Sequence, residues 1–326
     1  MALRFFHASI QLTSLFFPSG IFILFYRSET VPPSDSSTSL DSSVESGTSE
    51  TVVDIAVSDP DTFSSLVNFA TLADLVDTLS TTNDITLFAP TNDAFAALSK
   101  AAPDVVSNLQ TEEWQDHLVN LLLYHVLPVE VPSSAVTDGL SATTLNTEDI
   151  DFTITNGNGG GIFVNDGAEV VAADVDAKNG VIHVIDNVLL PSWVSNSIVD
   201  LAKATSDLST LVDLVVQAEL VDTLSEAGPY TVFAPTNEAF AELLDDGTSL
   251  SADQVLNVLT YHVVEGIYTE DALVNGLTLT TLQGDKLTLS SQGKNEFVND
   301  EKIIIPNILA NNGIIHVIGG VLTPEG

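Results

Sequence analysis

The clearest pattern along the chain is an apolar stripe at helical spacing. Leu66, Phe69, Leu72, Leu75, Val76 and Leu79 recur at intervals of three and four, so the segment TVVDIAVSDPDTFSSLVNFATLADLVDTL reads as helical with one buried face. A counterpart, NSIVDLAKATSDLSTLVDLVVQAELVDTL, lies further on. Ile85 to Ala89 and Tyr230 to Ala234 read as short buried strands, ended by Pro90 and Pro235, because proline cannot donate to a continuing ladder. Thr91 and Thr236 are then natural N-caps, with Asp93 and Glu238 in the first helical turn, where the helix dipole favours an acid. A longer helix is expected next, with Trp114, Leu118, Leu121, Leu122 and His125 on one stripe, mirrored by Val255, Leu256, Leu259 and His262. Strands are expected after it at Thr143 to Leu145, Phe152 to Thr155, Ile162 to Val164, Val170 to Ala173 and Val181 to Val188. Turn-formers such as Asn156-Gly157 and Asn179-Gly180 separate them.

The mirroring is an internal repeat. TLFAPTNDAF at 86–95 returns as TVFAPTNEAF at 231–240, LLLYHVL at 121–127 as VLTYHVV at 258–264, and NGVIHVIDNVLLP at 179–191 as NGIIHVIGGVLTP at 312–324. Order is kept while the offset shrinks from 145 to 137 to 133, which means two copies of one domain with loop deletions in the second. The copies are placed at 51–193 and 194–326, meeting near Trp193. Helices first and antiparallel strands later predict an α+β fold for each, not a doubly wound sheet.

Two segments precede the copies. Residues 1–27 hold a mostly apolar run, Phe5 to Tyr26, between Arg4 and Arg27, and read as a secretory signal peptide or an N-terminal anchor, with a buried core helix as the remaining alternative. Residues 28–50, SETVPPSDSSTSLDSSVESGTSE, form a Ser/Thr/Pro-rich acidic linker. The rest of the chain is therefore expected to be secreted or to lie on the outer face of the cell membrane, touching membrane only through the first segment if it is retained. Asn-x-Ser/Thr sequons are absent.

Composition narrows the partners. The 326 residues carry 45 acidic and 8 basic side chains, a formal charge of -37, whereas a nucleic-acid binder needs Lys and Arg to replace phosphate counterions. Nucleic acid is excluded as a partner, and the acidity reads as adaptation to a saline or calcium-rich exterior with diffuse divalent cations around it. Hydrophobic content of 44% separates the chain from acidic disordered tails. Without Cys there are no disulfides, thiolate metal sites or Cys nucleophiles.

Catalytic motifs are missing: there is no Gly-x-Ser-x-Gly, no His-Glu-x-x-His and no phosphate loop. NGNGGG at 156–161 reads as a hairpin tip. Asp174, Asp176 and Asn179 hint at a calcium loop, but Lys178 and Ile185 fall where ligands belong, and Asp245-Asp246 reads as solvated surface. No metal site, cofactor site or catalytic residue is assigned. His183 and His316, inside VIHVI and IIHVI, read as hydrogen-bonded core histidines. His125 and His262 each follow a Tyr near a helix end and are placed either to bond the APTN corner or to contact a partner.

The APTN corner, the Tyr-His pair and the NGIIHVI strand, each twice and in this order, resemble the fasciclin domain. The resemblance covers residues 51–326 and implies two tandem domains, each a wedge of β-strands with helices packed along it, as in periostin-type and microbial secreted members. It implies a non-catalytic role in adhesion. In animal matrix members the Tyr-His segment is implicated in integrin binding, and here it matches Tyr124-His125 and Tyr261-His262. A Glu-Pro-Asp-Ile-Met-type stretch corresponds to Ala172, Ala173, Asp174, Val175 and Asp176, which keep only the Asp, and to Ile305, Pro306, Asn307, Ile308 and Leu309, with Asn in its place. The expected function is an extracellular or cell-surface adhesion or matrix module, whose partner is a protein or polysaccharide of the matrix or a neighbouring cell. The alternatives are a secreted small-molecule or glycan binding protein, which needs a deep apolar pocket, and a hydrolytic enzyme, which needs a convergent acid-base pair in a cleft.

Overall fold

The computed structural model describes residues 12–16, 22–26, 48–155, 160–165, 167–225, 228–245 and 251–324. Strands β1 (Leu12–Phe16) and β2 (Phe22–Tyr26) pair antiparallel. The remainder of 1–27, nearly all of the linker at 28–50, the Gly-rich tip at 156–159 and Asp246 lie outside the described residues. Among those described, no helix is long and apolar enough to cross a membrane.

The first copy opens with α1 (Val52–Ser58), α2 (Pro60–Leu72) and α3 (Val76–Thr81). Thr51 caps α1 in a reciprocal capping box with Asp54, and Asp59 caps α2 ahead of Pro60, whose missing N–H costs nothing in a first turn. Strand β3 (Ile85–Pro90) is buried along its whole length and turns directly into α4 (Asn92–Ala101), where the Thr91 hydroxyl accepts from Ala94 N at 3.2 Å. After α5 (Pro103–Asn108), a 3-10 turn at Glu112–Trp114 leads into α6 (Gln115–Leu123). Strands β4 (Val126–Leu127), β5 (Ser141–Thr143), β6 (Asp149–Ile154), β7 (Ile162–Val164), β8 (Ala168–Ala177) and β9 (Gly180–Ile185) complete it.

Among the described residues the second copy repeats this plan with one helix fewer: α7 (Ile198–Ala204), α8 (Ser209–Gln217), α9 (Val221–Ser225), β10 (Tyr230–Pro235), α10 (Asn237–Asp245) and α11 (Ala252–Tyr261) come first. Strands β11 (Val263–Glu265), β12 (Thr278–Thr280), β13 (Lys286–Gln292), β14 (Asn295–Val298), β15 (Glu301–Ala310) and β16 (Gly313–Ile318) follow.

Each copy makes a seven-stranded sheet of the same order, β4-β3-β9-β8-β7-β6-β5 and β11-β10-β16-β15-β14-β13-β12. The sheets are not wholly antiparallel: β3 runs parallel to β9, and β10 to β16, so the early strand lies one place in from the sheet edge, between β4 and β9 in the first copy and β11 and β16 in the second. Periodicity could not show this, because a strand buried on both faces looks the same whichever way its neighbour runs. Gly180 and Gly313, at φ +153 and +150, open the last strands, where a Cβ would collide with the carbonyl oxygens of Ile85 and Tyr230.

Four strand expectations shift, among them β6, which starts at Asp149 and not at Phe152. Thr143 is the end of β5 and not its start, β8 is much longer than Val170 to Ala173, and β9 stops at Ile185. The 3-10 turn puts Trp114 outside the α-helix, and His125 lies beyond its end. Each sheet has an apolar core on either side. Phe63, Leu66, Leu87, Leu121 and Ile182 pack on the helical side of the first domain, and Phe88, Phe152, Val164 and Ile185 on the other.

Candidate functional site

The Tyr-His pairs sit where a helix hands over to its sheet. His125 is 1% exposed, and its Nδ1 lies 2.8 Å from the Leu121 carbonyl one turn back, while its Nε2 accepts from Leu189 N at 2.9 Å. His262 repeats both contacts with Val258 O at 2.7 Å and Leu322 N at 2.9 Å. These bonds fix the neutral tautomer with the proton on Nδ1, and burial holds both rings at a pKa of about 4, against the modest pull of the helix carbonyl. The expected bond from ring to APTN corner is not made. The strand just ahead of the corner is met by backbone instead, since Phe88 N donates to His125 O at 2.9 Å and Phe233 N to His262 O at 3.0 Å.

The tyrosines are held at their hydroxyls. Tyr124 donates to Asp149 O at 3.1 Å and accepts from Asn165 Nδ2 at 2.8 Å, and Tyr261 does the same with Lys286 O and Asn299 Nδ2, both at 3.1 Å. Burial raises the Tyr124 hydroxyl's pKa, with the Asn165 bond opposing it. At 5% and 3% exposed, the two tyrosines present almost nothing to a partner.

Asp174 lies on an irregularity of β8 where the register against β9 shifts, at φ +57, and Asn307 takes the same place on β15 at φ +58. Asp and Asn tolerate this left-handed conformation, and each side chain closes a loop across the domain. The Asp174 carboxylate accepts from Ser133 N at 2.7 Å and from the Ser133 hydroxyl, bonds that lower its pKa. Asn307 Oδ1 accepts from Glu270 N at 2.9 Å. Behind the bulges, His183 Nε2 meets Val131 O at 2.8 Å and His316 Nε2 meets Tyr268 O at 2.7 Å. Beside the same bulges, large apolar side chains face outward: Val171 is 54% exposed, and Ile304 and Ile305 are each 50% exposed.

Two features escaped the sequence reading. Asn179, taken as a turn-former, and its counterpart Asn312 are buried pins. Asn179 accepts from Val52 N at 2.9 Å and donates to Leu79 O and Thr82 O at 2.7 Å each, tying α1 and α3 to the start of β9. Asn312 accepts from Ile198 N and donates to Leu224 O. The repetition of Asn-Gly ahead of both buried strands was the available signal. The second feature is a cleft of about 730 Å³ between the copies, lined by Glu112, Glu113, Asp116 and Asp271 among others. Burial, reinforced by Asp271, raises Asp116 to about 6, and burial together with Glu270 and Asp271 raises Glu296 to about 7. Glu113 Oε1 accepts from Ile267 N across the cleft at 2.8 Å. Among the described residues, no group of three or more His, Cys, Asp or Glu is placed to hold a metal ion.

The family model for the fasciclin domain matches twice, over residues 61–191 and 206–324. The chain is 32% identical over 245 residues to pig transforming growth factor-beta-induced protein ig-h3, covering 74% of this chain and 35% of that protein. Protein sll1483 of Synechocystis sp. is 45% identical over 141 residues, 43% of this chain and 73% of that one. A solved FAS1 domain pair from the insect cell adhesion molecule fasciclin I aligns with a TM-score of 0.43 at 19% identity, over 80% of this chain and 97% of that one. The chain thus spans about a third of the length of the first of these relatives. With the family model matched over most of both copies, the chain belongs to the fasciclin domain family.

Proposed function

We propose that this protein is a non-catalytic adhesion or matrix module, secreted or held at the outer cell surface, that binds a protein or polysaccharide of the matrix or a neighbouring cell. One observation carries the reading: the bulged strands β8 and β15 expose Val171, Ile304 and Ile305 at matching places in the two domains, while the Tyr-His pairs are sealed in the core. In this reading the Tyr-His pairs and Asp174 are pins that shape the strands, and the contact surface is the bulged strand itself. Two similar surfaces on one chain also suit avidity, since the second contact forms at high effective concentration. The test is adhesion of cells or matrix fractions to the immobilised full chain. Ile304→Asp with Ile305→Asp is expected to abolish most of it, and unchanged adhesion at unchanged circular dichroism would move the surface elsewhere.

The small-molecule alternative needs a deep apolar pocket, and the roomy cleft between the copies is instead lined in part by four carboxylates, Glu112, Glu113, Asp116 and Asp271. The apolar cavity among Val199, Leu211, Val215 and Leu259 measures about 30 Å³, roughly a tenth of the smallest ordinary ligand pocket. The hydrolytic alternative rests on the raised carboxyl of Asp116 in the cleft, and turnover of model glycosides or esters that disappears in Asp116→Asn would establish it.

A further inference from the structure

The two domains meet around a residue with no counterpart in the repeat. Stepping 137 residues on from Trp114 and His117, the offset of the Tyr-His pair, gives Ser251 and Gln254. His117 is fully buried, 4.3 Å from the Trp114 ring and 4.9 Å from that of Trp193, measured between centroids. Its Nε2 lies 3.1 Å from the carbonyl of Ala310, which belongs to the second domain. Ile267 and Ile314 of the second domain join the first domain's core cluster here. Nδ1 has no hydrogen-bond partner among the described residues.

That orphan nitrogen decides how the contact responds to acid. Neutral imidazole with its proton on Nε2 satisfies Ala310 and leaves Nδ1 a bare acceptor among aromatic rings. A second proton would place a charged N–H there with no acceptor in hydrogen-bond geometry among the described residues, which is expensive in a low-dielectric site.

We infer that His117 is an acid-released latch between the two fasciclin domains: with the ring neutral they dock as one body, and its protonation undocks them while each stays folded. Burial lowers the docked ring's pKa to about 4, with the backbone of Ala310 and Gly313 pulling weakly the other way. An undocked ring returns towards its ordinary value near 6.5, so protons and docking exclude one another.

The groups around the ring set the direction of the whole interface. The 192–196 turn and the 310–313 turn bring no titratable side chain. On the first domain's side stand Glu112, Glu113 and Asp116, and on the second domain's side Glu270 and Asp271 flank the cleft, with Asp200 bound to Ser197 at the start of α7. Asp116 and Asp271 repel while both are ionised, and Asp116 takes up its proton near 6. Mild acidification therefore relieves the cleft, and only the further proton on His117 opens it.

The molecule carries its own reporter, because its two tryptophans, Trp114 and Trp193, both lie against His117. Tryptophan emission, far-UV circular dichroism and small-angle scattering of the full chain are followed together from about pH 7.5 to about pH 3.5. The expected result is a step in emission with a midpoint between 4 and 6.5, accompanied by a larger maximum dimension and preceding any loss of far-UV signal. His117→Gln, which installs the second copy's residue, is expected to lose the step, and Asp116→Asn to keep it. A step that survives in His117→Gln, vanishes in Asp116→Asn alone, leaves the maximum dimension unchanged, or coincides with unfolding overturns the latch. If His117→Gln does not fold, the wild-type scattering and dichroism decide the matter by themselves.

Discussion

Leu189 donates its backbone N–H to Nε2 of His125 at 2.9 Å, so the segment after the last strand of the first domain is fastened to the end of α6 by an imidazole that must stay neutral. His262 and Leu322 repeat the arrangement, and His316 is buried with its Nε2 against Tyr268 O. All three rings sit at about 4 because burial penalises their charged form.

Acid should therefore destabilise the protein over a defined window. The unfolded chain binds protons near 6.5 and the folded chain only near 4, so the stabilisation is complete above about 6.5 and is lost progressively as pH falls to about 4. Each ring contributes about 3 kcal/mol over that range. Asp116 and Glu296, raised to about 6 and about 7, act in the opposite sense, because the folded state holds their protons more tightly. Three core histidines and His117 outweigh these two carboxyls. Urea denaturation midpoints are expected to fall between pH 6.5 and 4, and a midpoint that rises would contradict the assignment.

Asn179→Ala should cost about 3 kcal/mol, since Val52 N, Leu79 O and Thr82 O would all be left without their partner in a buried place. Asn312→Ala should act likewise on the second domain. Chemical denaturation checks both, and a loss below about 0.5 kcal/mol would mean that the amide is not a pin.

Thr91→Ala or Thr236→Ala should each cost about 1 kcal/mol by removing the hydroxyl that accepts from Ala94 N or Ala239 N. Serine at either position should restore most of it. Thermal unfolding of the paired variants separates the cap from the loss of a methyl group.

Salt should stabilise the fold. At a formal charge of -37 the surface repels itself, and screening shortens from about 30 Å in 0.01 M salt to about 3 Å at 1 M. The unfolding temperature is expected to rise with NaCl, and a flat response would refute the saline reading. Millimolar CaCl2 and MgCl2 at fixed ionic strength should then act equally, because among the described residues no three carboxylates are grouped to hold an ion and diffuse screening does not tell the two apart.

The sequence by itself determined the repeat, the family, the helices-then-strands order and the corner at Thr91, because apolar period, proline and cap chemistry are local and occur twice. It also placed His183 and His316 in the core, since an unbroken apolar run leaves a strand no wet face. Only the tertiary structure decided the parallel partner of β3, the inward fate of the Tyr-His pairs and the role of Asn179. Those depend on which distant backbone groups arrive beside them, as Leu189 does beside His125 from 64 residues away. The meeting of His117 with Ala310, 193 residues apart, is a contact between copies that differ at that position, so the repeat carried no trace of it.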